Sequence, residues 1–155
     1  MKIKIISKTL DDTKKLALTL SEDLFPGAVI SLDGDLGAGK TTFTKSLAKG
    51  LKIEEEVSSP TFNILKCYFN GKLPLYHIDA YRLEDNINID VGLEEVIEGD
   101  GVCVIEWGKF INHLIFEPLN IKITILGNNV RQFDIESKYL KYQRIVERIK
   151  EEFNV

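Results

Sequence analysis

Apolar and polar residues alternate from Lys2 onward as Lys-Ile-Lys-Ile-Ile, the period of a half-buried strand over residues 2–7. Leu16, Ala17, Leu20 and Leu24 then recur at helical spacing behind Asp11 and Asp12, either of which suits a helix cap, and Pro26-Gly27 ends the run. Residues 28–32 form a short apolar strand that meets a glycine-rich turn at once. Beyond the turn, Phe43, Leu47, Ala48 and Leu51 give one buried helical stripe, stopped near Gly50. Residues 62–69 and 73–78 flank Asn70-Gly71, a pair that tolerates positive φ and predicts a tight hairpin. The acidic stretch 84–101 reads as short helices and loop. Residues 102–105 are a wholly apolar strand, and 119–126 and 130–135 surround Gly127-Asn128-Asn129, a second hairpin candidate. A last amphipathic helix shows Tyr142, Ile145, Val146, Ile149 and Phe153 on one face. Strand–helix–strand units mixed with hairpins predict an α/β fold whose sheet is partly parallel and partly antiparallel. With no repeat and no linker-like run, residues 1–155 read as one domain.

The turn after the second strand carries the candidate chemistry. It reads Gly34-Asp35-Leu36-Gly37-Ala38-Gly39-Lys40-Thr41, followed by Thr42, and matches G-x-x-x-x-G-K-[ST] at every fixed position. At ordinary residue frequencies a chance match in this length has odds of roughly 1 in 200, and the flanking strand and helix lengthen them. Small residues let successive backbone N–H groups wrap an anion at a helix N-terminus. Lys40 adds a compact positive charge for the β- and γ-phosphates, and Thr41 a hydroxyl for Mg²⁺. The expectation is therefore a single P-loop ATPase domain, a P-loop NTPase-like three-layer fold that takes ATP and Mg²⁺. The metal also needs a carboxylate at the end of an apolar strand. Asp79 closes residues 75–79 and Glu106 closes 102–106, and spacing does not rank them, although the second run is more uniformly apolar and so more like a central strand. Guanine-specific P-loop proteins usually carry N-K-x-D; that string is absent, which favours adenine.

Charge and cysteine content narrow the partners. Lys and Arg number 20 against 24 Asp and Glu, a net charge of -4, so the basic field typical of nucleic-acid binders is missing. Lys138, Lys141, Arg144, Arg148 and Lys150 interleave with Glu136, Glu147, Glu151 and Glu152, as on a solvated helix face. Any service to RNA would run through another protein. Cys67 and Cys103 are expected to be reduced and buried on two different strands. No apolar run reaches the roughly 20 residues that cross a bilayer, and no secretory segment opens the chain, so a cytoplasmic location with no membrane partner is expected.

The strings Gly34-Asp-Leu-Gly-Ala-Gly-Lys-Thr-Thr-Phe43, Ser59-Pro60-Thr61-Phe62, His77-x-Asp79-x-Tyr81-Arg82-Leu83, Gly92-Leu-Glu-Glu95 and Glu106-Trp107 stand here in the order of the TsaE (YjeE) family, which this chain resembles over nearly its whole length. The resemblance implies a bacterial ATPase required for the threonylcarbamoyladenosine modification of tRNA, beside the anticodon. It implies the TsaD–TsaB complex as partner, reset by ATP binding and slow hydrolysis, with tRNA held mainly by those proteins. By the same resemblance, residues 34–42 hold phosphates, Thr41 and Glu106 serve Mg²⁺, and Asp79 orients or deprotonates the attacking water. Ser59, Pro60, Thr61 and Phe62 are implied as a switch-like loop that senses the γ-phosphate. Leu10, through its backbone, and Arg131 are placed against the nucleotide. Trp107 has two readings: a gate or partner contact, or a plug at the edge of the core. His77 and Tyr81 alternate with Asp79, and either orient it or simply pack.

Two other functions compete. A small-molecule kinase would need an arginine-bearing lid, and 84–101 is too acidic to welcome a phosphate. A non-catalytic nucleotide sensor would use ATP only to order residues 59–62. No residue is an obvious arginine finger, which predicts slow turnover; Arg82 either acts in cis or pairs with an acidic neighbour.

Overall fold

The computed structural model describes residues 1–58, 64–83 and 92–155. Its strands are β1 (Lys2–Ser7), β2 (Val29–Gly34), β3 (Leu65–Tyr68), β4 (Leu75–Asp79), β5 (Val102–Glu106), β6 (Leu119–Gly127) and β7 (Val130–Glu136). Its α-helices are α1 (Leu10–Ser21), α2 (Lys40–Gly50), α3 (Leu93–Ile97) and α4 (Gln143–Phe153). The described strands make one sheet in the order β1-β7-β6-β2-β5-β4-β3. β6, β2, β5 and β4 run parallel, while β1, β7 and β3 pair antiparallel with their neighbours. The mixed sheet is the one the periodicities predicted.

Alternation along the strands decides which layer each residue joins. Val102 and Val104 of β5 enter one apolar cluster with Leu16 and Leu20 of α1, Phe43 and Leu47 of α2, and Ile145 and Ile149 of α4. Cys103 and Ile105 of the same strand enter a second cluster with Leu93 and Ile97 of α3 and Ile111. β5 is thus buried on both faces, which is why its sequence is an unbroken apolar run.

Several local expectations are corrected. Thr9, not Asp11 or Asp12, is the N-cap of α1: its side chain accepts the Asp12 amide, while the Asp12 carboxylate accepts the Lys8 amide in return. The helix ends at Ser21, before Pro26. Asn70-Gly71 does not make a tight hairpin, because six residues separate Tyr68 from Leu75. A Cβ on Gly71 would lie 2.4 Å from the Leu51 carbonyl oxygen, so close backbone approach, not positive φ, calls for glycine there. The second turn is tight, with Asn129 at φ 59. Cys103 is buried, but Cys67 is exposed, since β3 is an edge strand. Both cysteines are free; burial pushes the Cys103 thiol up to about 12. The mixed charges of α4 pair outward, Arg148 with Asp23 and Glu22.

Tyr142 fastens the C-terminal segment to the sheet. Its buried hydroxyl accepts the Val29 amide at 3.1 Å and lies 2.7 Å from the Glu117 carbonyl, to which it donates. Tyr142→Phe would strand those main-chain groups in the interior and is expected to cost about 1–3 kcal/mol, read as a lower urea midpoint at unchanged slope.

Candidate functional site

The parallel strands β2, β4 and β5 all point their C-terminal ends to one edge of the sheet, the usual location of ligand sites in α/β folds. Leu32 stands opposite Glu106, and Glu106 opposite Asp79. Between β2 and α2 the chain must reverse within residues 35–39. Gly37 and Gly39 do this at φ +81 and +107, and a Cβ on either would meet nothing within 4 Å. No side chain caps α2, and first-turn amides have no partner within a helix. A cleft of about 330 Å³ opens there, lined by Leu36, Gly37, Gly39, Lys40, Thr41, Thr42, Asp79, Glu106 and Trp107. A smaller one, about 120 Å³, continues past Ala38 to Leu10, Thr13, Asn129 and Arg131. The helix N-terminus and its open amide turn form a ready place for an anion.

Lys40 is 7% exposed and well compensated: Nζ donates to the Gly34 carbonyl at 2.8 Å, lies 3.9 Å from Glu106 Oε1, and sits 4.6 Å from the Trp107 ring centre. Glu106 is buried and Asp79 half-buried. Burial holds the Asp79 carboxyl above the usual carboxylate range; the Tyr81 amide that donates to Oδ1 at 3.1 Å works against this, and Glu106 works with it. Thr41, Glu106 and Asp79 offer only oxygen donors, the set that suits Mg²⁺. Among the described residues no three His, Cys, Asp or Glu cluster into a self-contained metal cage. The donor set therefore fits a divalent ion that brings phosphate oxygens with it.

The structure brings Leu36, Gly37, Gly39, Lys40, Thr41, Thr42, Asp79, Glu106 and Trp107 to one cleft, with Gly34 closing β2 behind Lys40 and the Ala38 amide donating to the carbonyl of exposed Asp35. Leu10 and Arg131 reach the adjoining space, where Arg131 Nε donates to the Ala38 carbonyl at 2.9 Å and braces the turn. Ser59, Pro60, Thr61 and Phe62 lie outside the described residues, as do 84–91 and the Arg82 side chain. Trp107 packs against the second apolar cluster, as expected of a plug at the edge of the core, and its ring also covers Lys40. Its φ of 58 is unusual for so bulky a residue. His77 does not bond Asp79; its Nε2 contacts Glu106, and among the described residues it is the Tyr81 amide that bonds the Asp79 carboxylate. Thr13 and Asn129 escaped the sequence reading, although Asn129 sits in the recognised hairpin turn. A larger cleft, about 500 Å³, lies beside Trp107 over Ser31, Asp33, Lys122 and Asp134. It lacks the amide turn and Lys40, so chemistry favours the smaller site.

Residues 7–134 match the family model described as threonylcarbamoyl adenosine biosynthesis protein TsaE. The protein named tRNA threonylcarbamoyladenosine biosynthesis protein TsaE of Bacillus subtilis is 43% identical over 94% of this chain and 92% of its own. The one of Treponema pallidum is 39% identical over 86% and 99%. The crystal structure of Bacillus subtilis YdiB superposes with a TM-score of 0.84, at 35% identity, covering 98% of this chain and 96% of that one. Among the described residues no helix is long and apolar enough to cross a membrane.

Trp107 is the only tryptophan, so its emission reports on Lys40 directly. Lys40→Ala is expected to change the intensity or peak of that emission in buffer alone, and an unaltered spectrum would deny the stacked contact.

Proposed function

This chain belongs to the TsaE family of threonylcarbamoyl adenosine biosynthesis proteins, and on that premise we propose that it binds ATP with Mg²⁺ in the cleft before α2 and hydrolyses it slowly. The observation that carries the reading is the convergence, at the C-terminal edge of three parallel strands, of an amide turn, a buried lysine and two carboxylates. The turn and the N-terminus of α2 take the phosphates, and Lys40 exchanges its Gly34 and Glu106 contacts for phosphate oxygens. Thr41 and Glu106 are the residues that would hold the divalent ion. That ion supplies charge neutralisation across the β- and γ-phosphates when bound. Asp79, oriented by the Tyr81 amide, aligns the attacking water and accepts its proton, a role helped by a carboxyl held above its ordinary range. The space beside Leu10, Asn129 and Arg131 suits the nucleoside end.

The hydrolysis serves the threonylcarbamoyladenosine modification of tRNA by acting on the TsaD–TsaB complex, which holds most of the tRNA; the net charge of -4 agrees with that division of labour. Of the arginines whose side chains are described, the one at the cleft, Arg131, is engaged with main-chain carbonyls. Slow turnover alone follows, and a cytoplasmic site of action suits both substrate and partners.

Calorimetry with ATP and Mg²⁺ tests the first step: Lys40→Ala is expected to weaken binding about tenfold to a hundredfold, and no heat with the wild type would end the nucleotide reading. Asp79→Ala is expected to keep ATP affinity within about threefold while phosphate release falls by about a hundredfold or more. Adding TsaD–TsaB is expected to raise wild-type turnover at least about tenfold; equal rates with and without them would remove partner activation.

A further inference from the structure

The two oxygens of Glu106 are treated differently. Oε2 is bonded by His77 Nε2 at 2.5 Å, while Oε1 lies on the side of Lys40. The register explains the contact: Asp79 stands opposite Glu106 and His77 opposite Val104, so His77 reaches the carboxylate diagonally across one face. His77 is 0% exposed and Glu106 4%. With Nε2–H donating, the other ring nitrogen, Nδ1, finds no hydrogen-bond partner among the described residues. A histidine that only satisfied the interior would engage both nitrogens; among the described residues this one engages the carboxylate alone.

We propose that His77 is a positioning residue that grips one oxygen of Glu106 from inside the sheet, so that the other is presented to the cleft for the divalent ion. The inference rests on the reading of Glu106 as a metal residue and adds what fixes it. A free glutamate carboxylate rotates among rotamers and is a poor one-oxygen ligand. Tied at Oε2, it has a single orientation, and such outer partners typically govern metal affinity about 10–100-fold. Lys40 on the Oε1 side cannot substitute, because it is needed for phosphate.

Paired substitutions test this. The amide nitrogen of Gln reaches the position of Nε2, and that of Asn the position of Nδ1, so His77→Gln keeps the grip and His77→Asn releases it. ATP binding is measured by calorimetry in Mg²⁺ and again in EDTA. Wild type and His77→Gln are expected to gain affinity from Mg²⁺. His77→Asn is expected to lose about 10–100-fold of that gain and to match wild type in EDTA. A full Mg²⁺ gain in His77→Asn overturns the proposal, and so does an equal loss in EDTA, which would mark a merely structural role. A wild type that binds ATP equally in both buffers removes the metal role of Glu106 and this inference with it; a wild type that binds no ATP fails the nucleotide reading itself. A second measurement needs no variant. The His77 Nε2–H resonance of ¹⁵N-labelled wild type is expected to persist when ATP and Mg²⁺ saturate the protein, and its loss to solvent exchange would overturn the proposal whatever the variants do.

Discussion

Parallel pairing of β5 between β2 and β4 is the constraint from which the site follows. Each parallel neighbour must arrive by a crossover, so all three strands end at one edge, and the register lines up Leu32, Glu106 and Asp79 across it. A slip of one residue in β5 would turn Glu106 to the opposite face and send Val102 and Val104 out of the helix-covered core. The apolar packing of that strand on both faces therefore fixes the carboxylate's position as firmly as any contact the carboxylate makes itself.

Burying charge at this edge needs compensation. Lys40 and Glu106 are nearly sealed from water, and an isolated ion of either sign would be expelled or neutralised there. The Gly34 carbonyl, the Trp107 ring and His77 share the load, each from a different element. Trp107 in turn takes an αL backbone, meets the Tyr81 ring at a tilt with centroids 5.0 Å apart, and stacks on Phe110 at 6.1 Å. Local strain in the backbone is thus offset by ring contacts that tie the turn after β5 to the one after β4.

Much of this was legible along the chain because it is encoded by local rules. The strand-to-glycine-to-lysine order, the periodicities of α2 and α4 and the two-residue turn at Asn128-Asn129 depend on neighbours within a few positions. What failed was chemistry that a distant segment decides. Gly71 looked like a turn residue, yet it answers to the Leu51 carbonyl, which only the packed α2 end brings near. The cap of α1 is the local exception: Thr9 accepts the Asp12 amide while the Asp12 carboxylate accepts the Lys8 amide, all within one turn of chain.

The amino-acid order by itself determined the glycine-rich turn before α2, the mixed sheet and the family, since each rests on residue types at short, fixed spacings. Only the tertiary structure decided which oxygen of Glu106 is held and by whom, because His77 and Glu106 are 29 residues apart and meet through strand register. It also decided that Tyr81 serves Asp79 with its amide and Trp107 with its ring. Spacing fixes what a segment can become; which partner a buried polar group finds is settled when separate segments are packed side by side and water is excluded.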